Sequence, residues 1–166
     1  MKATPAERSV WAHMLTPRGW VLGALRVPGR LPLLRYLNGA GRLVHLAEVA
    51  SGWWRPGAAP LSLRKDHLLV LVPQSEERVA PSPARGRGAP HQTTLLLAQG
   101  QLTGLFDVGQ GKSPATFLER APRYVVLERC RLRFPSSQLS RSGTVRSAIV
   151  NVGGVVGVSS HRVTEA

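Results

Sequence analysis

Apolar and polar residues alternate in two stretches of the chain, each introduced by a glycine turn. From Trp20 to Val27, the residues Val21, Gly23, Leu25 and Val27 share one face of an extended backbone. From Gln101 to Val108, the same face is taken by Leu102, Gly104, Phe106 and Val108. Both stretches predict a β-strand. A glycine on the apolar face of each predicts a bend or bulge, as small barrels need. A shorter strand precedes each, Ser9 to Leu15 and Thr93 to Ala98, with turns at Pro17-Arg18-Gly19 and Gln99-Gly100. A short helix follows. Pro32 opens the first and Asn38-Gly39 closes it, whereas Ser113 caps the second, Pro114 takes its first position and Pro122 stops it. Third strands start at Leu43 and Tyr124. The later one alternates cleanly, with Cys130, Leu132 and Phe134 on one face and Arg129, Arg131 and Arg133 on the other. Last strands are expected at Leu68 to Val72 and Ile149 to Val152.

The order β-β-α-β-β thus occurs twice, and an alignment shows why. Residues 19–49 laid over residues 100–130, at an offset of 81, coincide at Gly19/Gly100, Gly23/Gly104, Val27/Val108, Leu37/Leu118, Ala40/Ala121, Arg42/Arg123, Val44/Val125 and Leu46/Leu127. At nearly the same offset, 67–72 falls on 148–153. The chain reads as a tandem duplication: a first repeat over 9–73, a Pro/Gly/Arg-rich linker over 74–91, a second repeat over 92–158 and a tail over 159–166. The expected class is mainly β with short helices, two small barrel-like units packed pseudo-symmetrically. Repeats this short have little core of their own, which favours packing on one another or on another chain.

Gly100-Gln101-Leu102-Thr103-Gly104-Leu105-Phe106-Asp107, followed by a closing strand of the type Leu63-Arg64-Lys65-Asp66-His67-Leu68, resembles the Sm-like small β-barrel, here tandemly duplicated. The resemblance implies an SH3-like barrel, an acidic position at Asp107 and a basic position at Arg64 or Arg146. Arg26 stands at the acidic position in the first copy, and Lys65 and Ser147 stand where the family has glycine. RNA binding is therefore not carried over. The "Phe-Leu-x-Arg … Arg-Tyr-x-x-Leu" core also resembles an uncharacterised bacterial domain, which implies no activity.

Composition changes this picture in three ways. Lys+Arg is 22 against 9 for Asp+Glu, a formal charge of +13, so polyanions are attracted at low salt. Of the basic residues all but Lys2, Lys65 and Lys112 are Arg, and GC-rich codons account for part of that excess. The single cysteine excludes an internal disulfide framework and a four-cysteine zinc site. Apolar runs such as Leu68 to Val72 fall far short of the roughly 18 residues of a membrane helix, and residues 1–8 show no secretory signal. A cytoplasmic protein without membrane contact is expected.

Few residues suggest catalysis. The positions shared by the copies are Gly, Val, Leu, Ala and one Arg, the residues of a scaffold. His13, His45, His67, His91 and His161 have no metal-ligand spacing. Asp66 and His67 are adjacent, and adjacent residues of a strand face opposite ways. Cys130 reads as a small core residue. No enzyme, cofactor or metal is expected.

Two binding features remain. Arg129, Arg131 and Arg133 recur about every 6.5 Å along a strand, close to the spacing of phosphates along a nucleic-acid strand. Arg120 and Arg123 lie nearby, and Arg141 and Arg146 could join them. Trp20, Trp53 and Trp54 suggest a contact surface. The first expectation is a non-enzymatic interaction or scaffold module that binds a protein partner or self-associates. The alternative is a protein that binds nucleic acid without sequence preference through the arginine stripe.

Overall fold

A computed structural model describes residues 6–55, 60–75, 79, 90–135 and 144–163. The chain is mainly β with a few short helices, and it divides into two compact units, Met1–Pro81 and Ser82–Ala166. Most of the expected linker lies outside the described residues.

Unit 1 begins with a hairpin of β1 (Glu7–Thr16) and β2 (Gly19–Pro28), paired in unbroken register from Glu7↔Pro28 to Thr16↔Gly19. Only Pro17 and Arg18 make the turn. Gly19 takes φ +111°, which a side chain rarely allows, and Thr16 Oγ1 donates to its carbonyl at 3.0 Å. The alternation places Val10, Ala12, Met14, Val21, Leu25 and Val27 in the core. Helix α1 (Leu33–Asn38) follows, then β3 (Leu43–Gly52), β4 (Leu61–Arg64), a 3₁₀ turn at Lys65–His67 and β5 (Val70–Pro73). The strand order is β5-β1-β2-β3-β4, antiparallel throughout.

Unit 2 repeats that order. β6 (His91–Leu97) and β7 (Gly100–Phe106) form the hairpin, and α2 (Pro114–Leu118) follows. Then come β8 (Tyr124–Arg133), β9 (Thr144–Asn151), a 3₁₀ turn at Val152–Gly154 and β10 (Val155–Arg162). The order β10-β6-β7-β8-β9 is again antiparallel. Ser113 caps α2 as its sequence suggests, its Oγ accepting from the Thr116 backbone N–H at 3.2 Å. Phe117 packs edge-on against Phe106 of β7, with centroids 5.4 Å apart.

Three sequence expectations are revised. Each unit has five strands where four were expected, because β4 is only four residues long and β10 is polar throughout its second half, Ser159 to Arg162. Residues 159–162, expected in a tail, belong to β10. The overlay of 67–72 on 148–153 joins unlike elements: Lys65 and Val152 open the corresponding 3₁₀ turns, 87 positions apart, because β9 is longer than β4. Both turns are anchored alike, the Lys65 N–H donating to Arg42 O at 2.9 Å and the Val152 N–H to Arg123 O at 2.8 Å. Neither ladder closes into a ring among the described residues. The corner after β4 or β9 is a 3₁₀ turn rather than a hairpin, and its two flanking strands pair with different neighbours.

Lys65 is the least expected core residue. It is 1% exposed, and its Nζ donates to Tyr36 O at 2.9 Å and Gly39 O at 3.1 Å while lying 5.2 Å from the Tyr36 ring centre. The ammonium therefore caps the C-terminus of α1, where carbonyls lack helical partners and the dipole favours a cation.

Candidate functional site

The arginine stripe depends on an irregularity in β8. Between β7 and β8 the register slips, so that Thr103↔Arg131 is followed by Leu105↔Glu128 and one residue of β8 is extra. Gly104 allows it. A Cβ there would stand 2.8 Å from both Cys130 Sγ and Glu128 O. The slack is taken up at Arg129, the only non-glycine with positive φ among the described residues, at +50°. Leu127 and Cys130 both point into the core, and Glu128 and Arg129 between them are both exposed.

Beyond the bulge the strand alternates regularly. Cys130, Leu132 and Phe134 are buried, while Arg131 and Arg133 are exposed on the same side as Arg129. The three guanidinium groups line one depression of about 580 Å³ on the outer face of unit 2. Its other walls come from neighbouring strands and combine polar side chains with Gly104 and Leu105 of β7. Gln101 stands directly opposite Arg133, and Arg131 lies between Thr103 on β7 and Thr144 on β9. Gln92 of β6 completes the polar wall, and Thr103 is held by a 2.8 Å hydroxyl contact with Thr94. No hydrogen bond or ion pair ties the side chain of Arg129, Arg131 or Arg133 to another described residue. Their charge is thus available to a ligand, and planar guanidinium groups suit phosphate oxygens.

The remaining candidates disperse. Arg120 follows α2 and Arg123 precedes β8; neither lines the depression, nor does Arg146 of β9. Arg141 and the Arg85-Gly86-Arg87-Gly88 stretch lie outside the described residues. Trp53 and Trp54 meet edge to face, with centroids 6.0 Å apart. The Trp53 indole N–H donates to Thr16 Oγ1 at 3.1 Å, and the Arg18 guanidinium lies 4.8 Å from its ring centre. This cluster braces the β1–β2 turn. Trp20, at the start of β2, is half-buried like the other two.

The histidines are spread over both units. His45 Nδ1 meets Ser62 Oγ at 2.8 Å across β3 and β4, on an exposed face. His13 Nε2 is 3.3 Å from the Gln74 amide, and burial lowers its pKa. Asp66 pairs with Arg64 at 3.3 Å where the side chains are 50% and 60% exposed, so the pair contributes little. Among the described residues no cluster of three His, Cys, Asp or Glu could hold a metal ion. Cys130 is fully buried. Desolvation pushes its thiol up to about 12, a nearby Ala148 backbone hydrogen bond lowers it and Glu128 raises it further. A thiol so protonated is a poor nucleophile.

Sequence reasoning found the three arginines but missed the polar wall. The alternation of β7 shows that Gln101 and Thr103 face outward. Which β8 residue each meets depends on the bulge, and Gln92 and Thr144 arrive through pairings that no local pattern announces.

No helix among the described residues is long and apolar enough to cross a membrane. No protein-family model, curated protein or solved structure gives a significant match to the chain.

Proposed function

We propose that the outer face of unit 2 binds the phosphate backbone of nucleic acid without reading its sequence. One observation carries this reading: three exposed arginines, without ion-pair partners among the described residues, side by side on β8 and lining one depression. Neighbours about 6.5 Å apart along the strand meet successive phosphates, each through a fork of N–H donors. Gln92, Gln101, Thr103 and Thr144 supply hydrogen bonds to phosphate and sugar oxygens, which orient a strand but carry no base information. Among the described residues the lining holds no aromatic ring on which a base could stack. The role is binding, not catalysis. A partner surface at Trp20, Trp53 and Trp54 has less support, because the N–H and ring of Trp53 are already engaged within unit 1. In the same reading the two units are copies of one duplicated small barrel-like module, similar to Sm-like domains. Their shared strand order and their 3₁₀ turn between fourth and fifth strands support this.

The test is titration of labelled single- and double-stranded oligonucleotides over a range of salt, with protein freed of nucleic acid by nuclease and high salt. The logarithm of affinity should fall linearly with the logarithm of salt. Replacing Arg129, Arg131 and Arg133 by Ala should lower the slope by about 2 on single strands and about 3 on duplex. A triple variant that binds like the parent at every salt concentration removes the site from consideration.

A further inference from the structure

We infer that the arginine depression is a bounded site, holding three consecutive phosphates of one nucleic-acid strand and closed at one end by Glu128. This rests on the reading of the depression as a phosphate-backbone site and gives it a size. The bulge is the reason. In a regular strand the residues facing outward with Arg131 and Arg133 would continue through Arg129 to position 127. The slip at Gly104 instead turns Leu127 inward and leaves Glu128 and Arg129 exposed side by side. The row along β8 therefore reads cation at 133, 131 and 129, then anion at 128. Glu128 stands opposite Leu105, and the depression reaches Leu105 and Arg129 but not Glu128. A fourth phosphate continuing along β8 in that direction would meet the Glu128 carboxylate just beyond the depression, whose own lining holds no carboxylate among the described residues. Neighbouring like charges at this spacing repel, so the strand must leave the sheet there.

The experiment uses the full chain and oligothymidylates of increasing length, with the salt slope measured for the parent and for the Arg129→Ala, Arg131→Ala, Arg133→Ala variant. The difference between the two slopes counts the phosphates engaged by the stripe and cancels the contribution of the remaining charge. It should rise to about 2 once three phosphates are present and stay there as the oligonucleotide lengthens. Glu128→Lys, an exposed substitution made in the parent alone and compared with the same triple variant, should raise the plateau to about 3 by admitting a fourth phosphate. A difference that keeps climbing with length overturns the bounded site while leaving backbone binding intact. So does a natively folded Glu128→Lys variant, checked by circular dichroism, whose plateau does not move. Equal slopes for the parent and the triple variant overturn the site and its boundary together.

Discussion

At the scale of single residues, the site sits on strained backbone. Arg129 holds φ +50°, a conformation that costs a non-glycine residue about 1 kcal/mol. Its side chain is exposed and forms no bond to another described residue that would offset the cost. Arg129→Gly should therefore leave stability unchanged or raise it by up to about 1 kcal/mol, while removing one phosphate contact and about 0.7 from the single-strand salt slope. Denaturant melts and titrations of one preparation check both, and a variant both less stable and unchanged in binding contradicts the assignment. Cys130, the next residue, is its opposite, chemically silenced by burial. Its folded pKa of about 12 lies above the unfolded value, so the folded state favours the neutral thiol. That contribution is fully present below the unfolded pKa and is lost as pH rises from about 9 through 12. Alkylation at mildly alkaline pH should accordingly track unfolding, with native protein labelled far more slowly than protein in denaturant.

At the scale of elements, the irregular positions decide what the regular ones can do. Gly104 faces a backbone carbonyl, Glu128 O, which cannot move aside as a flexible side chain would. Gly104→Ala should cost about 1–3 kcal/mol and shift Arg129, so that melting temperature and nucleic-acid affinity fall together. Lys65→Met keeps the volume but leaves the Tyr36 and Gly39 carbonyls without their ammonium, and should cost about 1–3 kcal/mol with no effect on binding in unit 2. These two positions also show where sequence reading succeeds and fails. Alternation on β2 and β7, the Ser113 cap and the turn signal Pro17-Arg18-Gly19 are local, and the corresponding elements lie where those signals place them, with Gly19 already paired as the first residue of β2. The glycine at 104 announced a bulge, yet not that its slack would fall on Arg129. Nothing local marks Lys65 as a core residue, because its partners lie 29 and 26 positions away, on α1 and just after it. β4 and β10 were invisible for a related reason: short or half-polar strands gain their order from neighbours rather than from their own pattern. The arginine stripe was legible because it follows the period of one strand. The depression was not, because four strands build it.

At the scale of the whole molecule, the question is whether binding follows the charge total or the place where charge is gathered. The formal charge is +13, divided as +6 over residues 1–82 and +7 over residues 83–166, so neither unit is a basic tail. Diffuse charge attracts any polyanion at low salt, but beyond a Debye length of about 10 Å at 0.1 M its pull is screened. Three arginines in one depression act at contact and release counterions together. The two cases separate in a charge-matched pair of variants. Replacing Arg129, Arg131 and Arg133 lowers the formal charge from +13 to +10, and so does replacing Arg26, Arg35 and Arg42, three exposed residues of unit 1. If charge were merely compositional, the two triple variants would bind alike. The site predicts that the unit 1 variant keeps nearly the parental salt slope, while the unit 2 variant loses about 2 from it on single strands. Equal losses would assign the binding to composition, and the depression on unit 2 would then be an ordinary solvated sheet face.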